Sequence, residues 1–193
     1  PLAGAVQLQS GDATSYAEVK AFAATCGDVD HVVFTVGAGS GKFGYPFWNL
    51  EPSDWPRVLE INLTAAVNAA HAFAPGMAAR GRGSLLFMTS VAGQVGSPTD
   101  PPYSAAKAGL INFMQCAAKD LAPHGVRANA LAPGMVRTDL NESVWAAGQR
   151  AMVTYQLGRE VATPIGQIRE ILPFGCEIAV LEVGGAMLGL VAH

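Results

Sequence analysis

Val32-Val33-Phe34-Thr35-Val36-Gly37-Ala38-Gly39 is an apolar, β-branched run that stops at glycines, the pattern of a buried strand leaving its sheet through a turn. Leu85-Leu86-Phe87-Met88 is a second such run, and Val126 to Leu131 is a third, weaker one. A further short strand is expected at Val6 to Ser10, leaving through Gly11-Asp12-Ala13-Thr14. Between the strands lie Ala-rich stretches with helical spacing. One covers Ser15 to Cys26, with Tyr16, Val19, Phe22 and Ala23 in register. Another opens at Ser53-Asp54 and runs to about Ala79, and a third runs from about Tyr103 to Ala122. Strands alternating with long helices imply parallel pairing through right-handed crossovers. The expected fold class is therefore α/β, a doubly wound parallel sheet. Ligands of such sheets sit beyond the carboxyl ends of the strands, which directs attention to Gly37, Thr89 and Pro133 onward.

The bulk properties narrow the function. The chain has 193 residues, 50% of them apolar and 14% charged, enough for one domain with a substantial core. A net charge of −3 and the lack of any basic run argue against nucleic acid or anionic lipid as a partner. Cys26, Cys116 and Cys176 are odd in number and far apart, suggesting neither a disulfide framework nor a metal site. They read as core thiols in a reducing compartment. The chain begins at Pro1 with no basic segment before an apolar one, and its longest apolar run, Val183 to Ala192, is glycine-interrupted and too short for a bilayer. No membrane partner and a cytoplasmic location are expected.

Gly39-Ser40-Gly41-Lys42-Phe43-Gly44 satisfies GxGxxG after a strand, yet Tyr45-Pro46-Phe47-Trp48 continues as loop. A dinucleotide fingerprint needs a helix there, so that its first amides face the pyrophosphate. It also fails as a P-loop, because Val36 stands where the first glycine should be and Phe43 replaces the metal-binding hydroxyl. A plain strand-to-loop turn is the better reading.

Tyr103 and Lys107 stand at i and i+4, neighbours on one helix face about 5 to 6 Å apart at Cβ. An ammonium beside a phenol favours phenolate and lowers a pKa that is ordinarily about 10, so the pair suits acid/base chemistry. By itself the pair reads better as a solvated helix face. Ser90 lies just past the second strand, followed by the small Val91-Ala92-Gly93 that leaves room for a ligand; it also suits a turn serine. Asn62 falls inside the long helix, unfavourable there unless it is exposed or bonds something specific.

Together, Phe87-Met88-Thr89-Ser90-Val91-Ala92-Gly93, Tyr103-Ser104-Ala105-Ala106-Lys107-Ala108, Asn129 to Thr138, and Ser53-Asp54-Trp55 through Asn62-Leu63-Thr64 resemble four ordered motifs of the short-chain dehydrogenase/reductase family. The resemblance runs from Asp12 to about Thr138. It implies a Rossmann-like dinucleotide-binding and catalytic domain over residues 1–193, lacking its first strands. The implied activity is an oxidoreductase that moves a hydride between NAD or NADP and a small carbonyl or secondary alcohol. Tyr103 would be the general acid/base, Lys107 would lower its pKa and hold the ribose, Ser90 would bind the reacting oxygen, and Asn62 would hold a relay water. Asp12 and Ala13 match the family's adenine side. Val36, Ala38 and Gly39 match its strand-end Asn-Asn-Ala-Gly, and Pro133, Gly134, Val136 and Thr138 its nicotinamide side. Thr89 belongs to the same crevice. A homodimer or homotetramer is implied, with Leu110, Phe113, Met114 and Ala117 offering more apolar surface than one sheet face needs.

Three departures stand out. Val36 and Gly37 replace the two asparagines of Asn-Asn-Ala-Gly. The first strand, the glycine-rich phosphate turn and the second strand of the family are absent from the chain. The stretch between Ile171-Leu172-Pro173-Phe174-Gly175 and Leu181-Glu182-Val183-Gly184-Gly185, which resemble the late loop and last strand, is short. The apolar Val32 to Val36 is therefore expected to lie exposed at a sheet edge, as if ordered pieces of a longer protein had been joined. The rivals to the enzyme reading are a non-catalytic dinucleotide-binding sensor or scaffold of the same fold, and a nonfunctional fragment. Substrate identity and the choice of NAD or NADP are not legible, although Trp145, Met152, Tyr155 and Leu157 suit either an apolar lid or a helix core.

Overall fold

The computed structural model describes residues 8–134 in full and residues 177–183 and 186–192 as backbone strands. Strands β1 (His31–Phe34), β2 (Gly83–Met88) and β3 (Val126–Leu131) lie side by side and parallel, with Val32 opposite Leu85 and Leu85 opposite Ala128. Strands β4 (Glu177–Val183) and β5 (Ala186–Ala192) pair as antiparallel neighbours, and β5 runs antiparallel to β1. The sheet order is β3-β2-β1-β5-β4. The expected parallel α/β sheet is thus present in β1 to β3, while the sheet as a whole is mixed. The open edge expected at β1 is closed, since His31, Val32 and Val33 pair with Val191, Leu190 and Gly189. No strand forms over Leu8 to Ser10; the rest of that expected element lies outside the described residues. Residues up to Ala132 and from Glu177 onward form one compact unit, and of the other, Pro133–Cys176, only Pro133 and Gly134 are described.

Helix α1 (Tyr16–Thr25) is capped by Ser15, whose hydroxyl accepts the Glu18 amide, and buries Val19 and Phe22 at the predicted spacing. The long helix opened near Ser53-Asp54 is α2 (Trp55–Leu59), a π-helical turn Glu60–Thr64, and α3 (Ala65–Arg80). Helix α4 (Ala92–Val95) is short, and α5 (Pro101–Leu121) begins two residues before the expected Tyr103. Ala65, Ala66, Ala69 and Ala70 are buried, so small side chains bring α3 close to the strands, and Phe73 and Met77 fill the space beyond. Each large buried apolar side chain contributes about 1.5 to 3 kcal/mol.

The chain steps from β1 to β2 to β3 in one direction, and right-handed crossovers then place α3 and α5 on the same face, where they pack against each other. The strands record this. Val32, Phe34, Leu85, Phe87, Val126 and Ala128 are buried, whereas Val33 and Leu86 are half-buried and Arg127 and Asn129 exposed. A sheet covered on both faces reads as continuously buried strands. The described helices supply one of the two layers.

Two surface expectations change. Leu110 is fully buried, and Phe113, Met114 and Ala117 pack against the core, with the Phe113 ring edge-on to Phe87 at 5.8 Å. The apolar surplus expected on α5 therefore points inward, because these positions face the sheet. Cys116, expected in the core, is exposed, while Cys26 packs against the core as expected. No helix among the described residues is long and apolar enough to cross a membrane.

Candidate active site

The carboxyl ends of β1 and β2 are each gripped by a polar side chain from a helix. Asn62 sits in the π-helical turn and is wholly buried. Its Nδ2 donates to the Ala38 carbonyl at 2.7 Å and to the Val58 carbonyl at 2.9 Å, and its Oδ1 accepts the Ala38 amide at 3.3 Å. Both polar backbone groups of Ala38 are thus satisfied by one asparagine, which explains a residue type that a helix interior disfavours. The surface reading of Asn62 is overturned.

Lys107, 3% exposed, reaches from α5 to donate to the Met88 carbonyl at 2.9 Å. Its Nζ stands 5.5 Å from the centre of the Tyr103 ring. Burial pulls the ammonium down from 10.5 to about 8, so at neutral pH it still carries its charge. Tyr103 moves the other way from expectation. Burial pushes its hydroxyl above the ordinary value, the nearby Ser90 side chain pulls it down, and the charge of Asp100 pushes it up. The depressed phenol expected from the adjacent ammonium is not what the protein's own groups produce, because desolvation dominates.

Ser90 is half-buried, and its Oγ accepts the Ala92 amide at 3.1 Å as the turn into α4 begins. Of the small residues after Ser90, Gly93 has a packing role. A Cβ on Gly93 would come within 2.6 Å of the Lys107 carbonyl carbon, so glycine lets α4 touch the backbone of α5. Thr89 is buried and ties strand ends together, donating through its amide at 2.8 Å and its hydroxyl at 2.9 Å to the Leu131 carbonyl.

Of the remaining expected positions, Val36 and Ala13 are buried in the core. Asp12 is exposed; its Oδ1 accepts the Thr14 amide at 2.9 Å and the Thr14 hydroxyl at 2.8 Å, and these bonds hold its carboxyl below the ordinary value. Pro133 and Gly134 follow β3. Val136, Thr138, Trp145, Met152, Tyr155 and Leu157 lie outside the described residues.

Gly37 is exposed at the meeting point of the two gripping side chains. A Cβ there would stand 2.9 Å from Asn62 Oδ1 and 3.2 Å from Lys107 Nζ. The departure from asparagine at this position thus leaves bare backbone beside an ammonium, a cradle suited to a hydroxyl-bearing ligand. The GxGxxG stretch is the expected loop. Its Gly44 amide donates to the Thr99 carbonyl at 2.7 Å, and Lys42 pairs with Asp54 at 2.8 Å.

Two polar residues escaped the sequence reading. Asp100 caps α5, and its signal was the Asp-Pro-Pro preceding Tyr103, an N-cap followed by prolines at the first helical positions. Asn68 donates at 3.1 Å to both the Ala13 and Thr14 carbonyls, and nothing in the local pattern announces a partner 55 residues away.

Comparison with known proteins places this geometry. The family model described as short chain dehydrogenase matches residues 3–149. Nodulation protein G of Azospirillum brasilense is 37% identical over 137 residues, covering 69% of this chain and 54% of that protein. Cis-4-hydroxycyclohexanecarboxylate dehydrogenase of Sinomonas cyclohexanicum is 35% identical over 169 residues, 87% of this chain and 66% of that one. A solved structure, gluconate 5-dehydrogenase from Burkholderia cenocepacia J2315 in complex with NADP and tartrate, superposes with a TM-score of 0.66 at 32% identity, covering 75% of this chain and 56% of that one. The chain spans between about half and two thirds of the length of these relatives. With the matched motifs and a parallel α/β core in common, it belongs to the short-chain dehydrogenase/reductase family.

Proposed function

We propose that this chain carries the catalytic part of an oxidoreductase that interconverts a small carbonyl compound and its secondary alcohol with NAD or NADP. The observation that carries this reading is the buried Lys107 ammonium, which donates to the Met88 carbonyl at the end of β2 at 2.9 Å and stands 5.5 Å from the ring of Tyr103, one helical turn away, with Ser90 just past the same strand end. Residues 1–193 belong, on this reading, to one dinucleotide-binding and catalytic domain.

The exposed Gly37 and Gly39 backbone and the Lys107 Nζ beside it fit a dinucleotide, whose ribose hydroxyls accept from an ammonium. Asp12 and Ala13 serve its adenine side, and Pro133, Gly134, Val136 and Thr138 its nicotinamide side. Bound there, the nicotinamide supplies or accepts the hydride. In reduction, Ser90 holds the substrate oxygen by its hydroxyl and Tyr103 gives that oxygen its proton; in oxidation Tyr103 takes the proton from the alcohol. Lys107, positively charged below about pH 8, stabilises the phenolate left behind. Asn62 spends its side chain on Ala38 and Val58, so its part in a proton relay falls to the backbone of the π-helical turn. The raised pKa of Tyr103 suits a proton donor. The family resemblance supports a homodimer or homotetramer, and the free Cys26 and Cys116 fit a reducing compartment.

The test is calorimetry and a turnover panel of secondary alcohols and ketones on the intact protein with all four oxidised and reduced dinucleotides. Heat with one pair and turnover of at least one substrate are expected. Heat without turnover would favour the sensor or scaffold, and no heat at all would defeat the reading. Light scattering on the same sample should give a dimer or tetramer; a monomer at micromolar concentration would refute the assembly.

A further inference from the structure

Asp100 stands between two pieces of the site and bonds to both. Its side chain is nearly excluded from solvent, with the residue 5% exposed. Oδ2 accepts the Ser40 amide at 2.8 Å from the loop after β1, and Oδ1 accepts the Tyr103 amide at 3.3 Å from the first turn of α5. Pro101 and Pro102 have no N–H, so Tyr103 carries the first amide of that helix, and Asp100 takes it. The next amide, of Ser104, donates to the Asp100 carbonyl at 3.0 Å. Gly39 closes the other side: a Cβ there would fall 2.9 Å from Asp100 Oδ2 and 2.7 Å from the Phe43 ring. The Gly44 amide ties the same loop to the Thr99 carbonyl.

We propose that Asp100 is a positioning residue, a carboxylate clamp that fastens the Gly39–Ser40 backbone, where a dinucleotide would lie, to the helix turn that aims Tyr103 at the substrate. The proposal rests on the reading of Tyr103 as the acid/base group. A side chain that only capped α5 would need one acceptor and no contact with the loop. Asp100 uses both oxygens, one on each piece, so the cofactor-side strand end and the phenol hold a fixed separation. Hydride and proton transfer act on adjacent atoms of one substrate, and that separation is what both require. The clamp also places a negative charge beside Tyr103, which disfavours phenolate. The other groups beside Tyr103 are Ser90 from the end of β2 and Lys107 from α5 itself, whose Nζ stands 5.5 Å from the ring centre.

Asp100→Asn in the intact protein tests it. The amide keeps the shape but has one acceptor, so one tie is lost together with the charge. Dinucleotide affinity should fall by roughly tenfold, the size of one lost charge-assisted hydrogen bond. The rising limb of the pH profile for alcohol oxidation should move to lower pH, a change that a cap with a merely structural role would not produce. Amide hydrogen exchange at Ser40 should accelerate. A folded Asp100→Asn protein with unchanged affinity, unchanged pH profile and unchanged exchange would overturn the proposal. Should that variant not fold, the wild-type protein still decides. A Ser40 amide that exchanges as fast as an open loop would show that no clamp exists, and a strongly protected one would support it. A wild-type protein that binds no dinucleotide and turns nothing over defeats the acid/base reading, and the exchange rate then reports on the clamp alone.

Discussion

The chain holds its strand-end segments in two different ways. At the ends of β1 and β2, buried polar side chains do the holding: Asn62 on Ala38, Lys107 on Met88, and Asp100 on Ser40, at 2.7 to 2.9 Å. At the Asp12–Thr14 turn the grip is local and wet. An exposed carboxylate bonds residues two positions on, and one half-buried asparagine reaches in from α3. A buried polar group is costly unless fully paired, and once paired it fixes its neighbours rigidly. On the proposed function, that cost falls where a proton and a hydride would be delivered to neighbouring atoms, and the turn proposed for the adenine side needs less.

The sharpest way to break this contrast is Tyr103→Phe. The ring stays, so the packing of α5 on the sheet and the clamp at Asp100 are kept, and only the hydroxyl is lost. General acid/base catalysis is worth about 10² to 10⁴-fold, and kcat should fall by at least about a hundredfold with dinucleotide affinity nearly unchanged. A variant that kept more than about a tenth of wild-type kcat on a true substrate would remove Tyr103 from the chemistry. The buried region would then be a structural knot only.

The second test concerns the cost of burying Lys107. The folded protein holds its ammonium at about 8, against 10.5 when exposed. Below pH 8 both states are protonated and the folded state bears the full penalty of the buried charge. Between about pH 8 and 10.5 the unfolded chain keeps its proton while the folded one releases it, so the unfolded state binds more protons and stability rises with pH. Measured as the difference from Lys107→Met, which cancels every other titration, wild-type stability should gain roughly 3 kcal/mol across that window. Denaturant melts at pH 7.5, 9 and 10.5 would read it. A flat difference would show that the ammonium is hydrated and that the grip on Met88 is loose.

Much of this architecture is legible from sequence because it is written in short-range patterns. β-branched runs ending in glycine gave β1, and Ser15 before the Tyr16, Val19, Phe22 spacing gave α1. Tyr103 and Lys107 are legible because four residues along a helix is one turn. What stayed hidden depends on partners distant in the chain. The burial of Asn62 follows from the place where the end of β1 lands, and the direction of the Tyr103 shift follows from how far the fold dries the phenol. The antiparallel cover of β1 by β5 joins residues at opposite ends of the sequence. Asp100 was readable as a cap, but its second oxygen answers to Ser40, which local spacing does not reach.

The smallest effect lies on the wetter side of the comparison, at Asn68. Its Nδ2 spans the Ala13 and Thr14 carbonyls at 3.1 Å each, the one described side chain from α3 that bonds the turn proposed for the adenine side. Asn68→Ala removes both bonds; Thr14 is half-buried and its carbonyl can turn to water, whereas Ala13 is buried and its carbonyl is left without this partner. The stability cost should therefore be about 1 to 3 kcal/mol, from the net value of one ordinary hydrogen bond to the penalty of a buried acceptor left unpaired. The Asx turn at Asp12 survives, since its bonds to Thr14 are its own. A turn that keeps its shape but gains play should lose dinucleotide affinity by roughly two- to fivefold, with kcat at saturating cofactor unchanged. Calorimetry and steady-state kinetics on the same preparation separate these quantities. A fall in kcat comparable to the fall in affinity would mean that the turn is coupled rigidly to Tyr103, and the two regions would no longer be held differently.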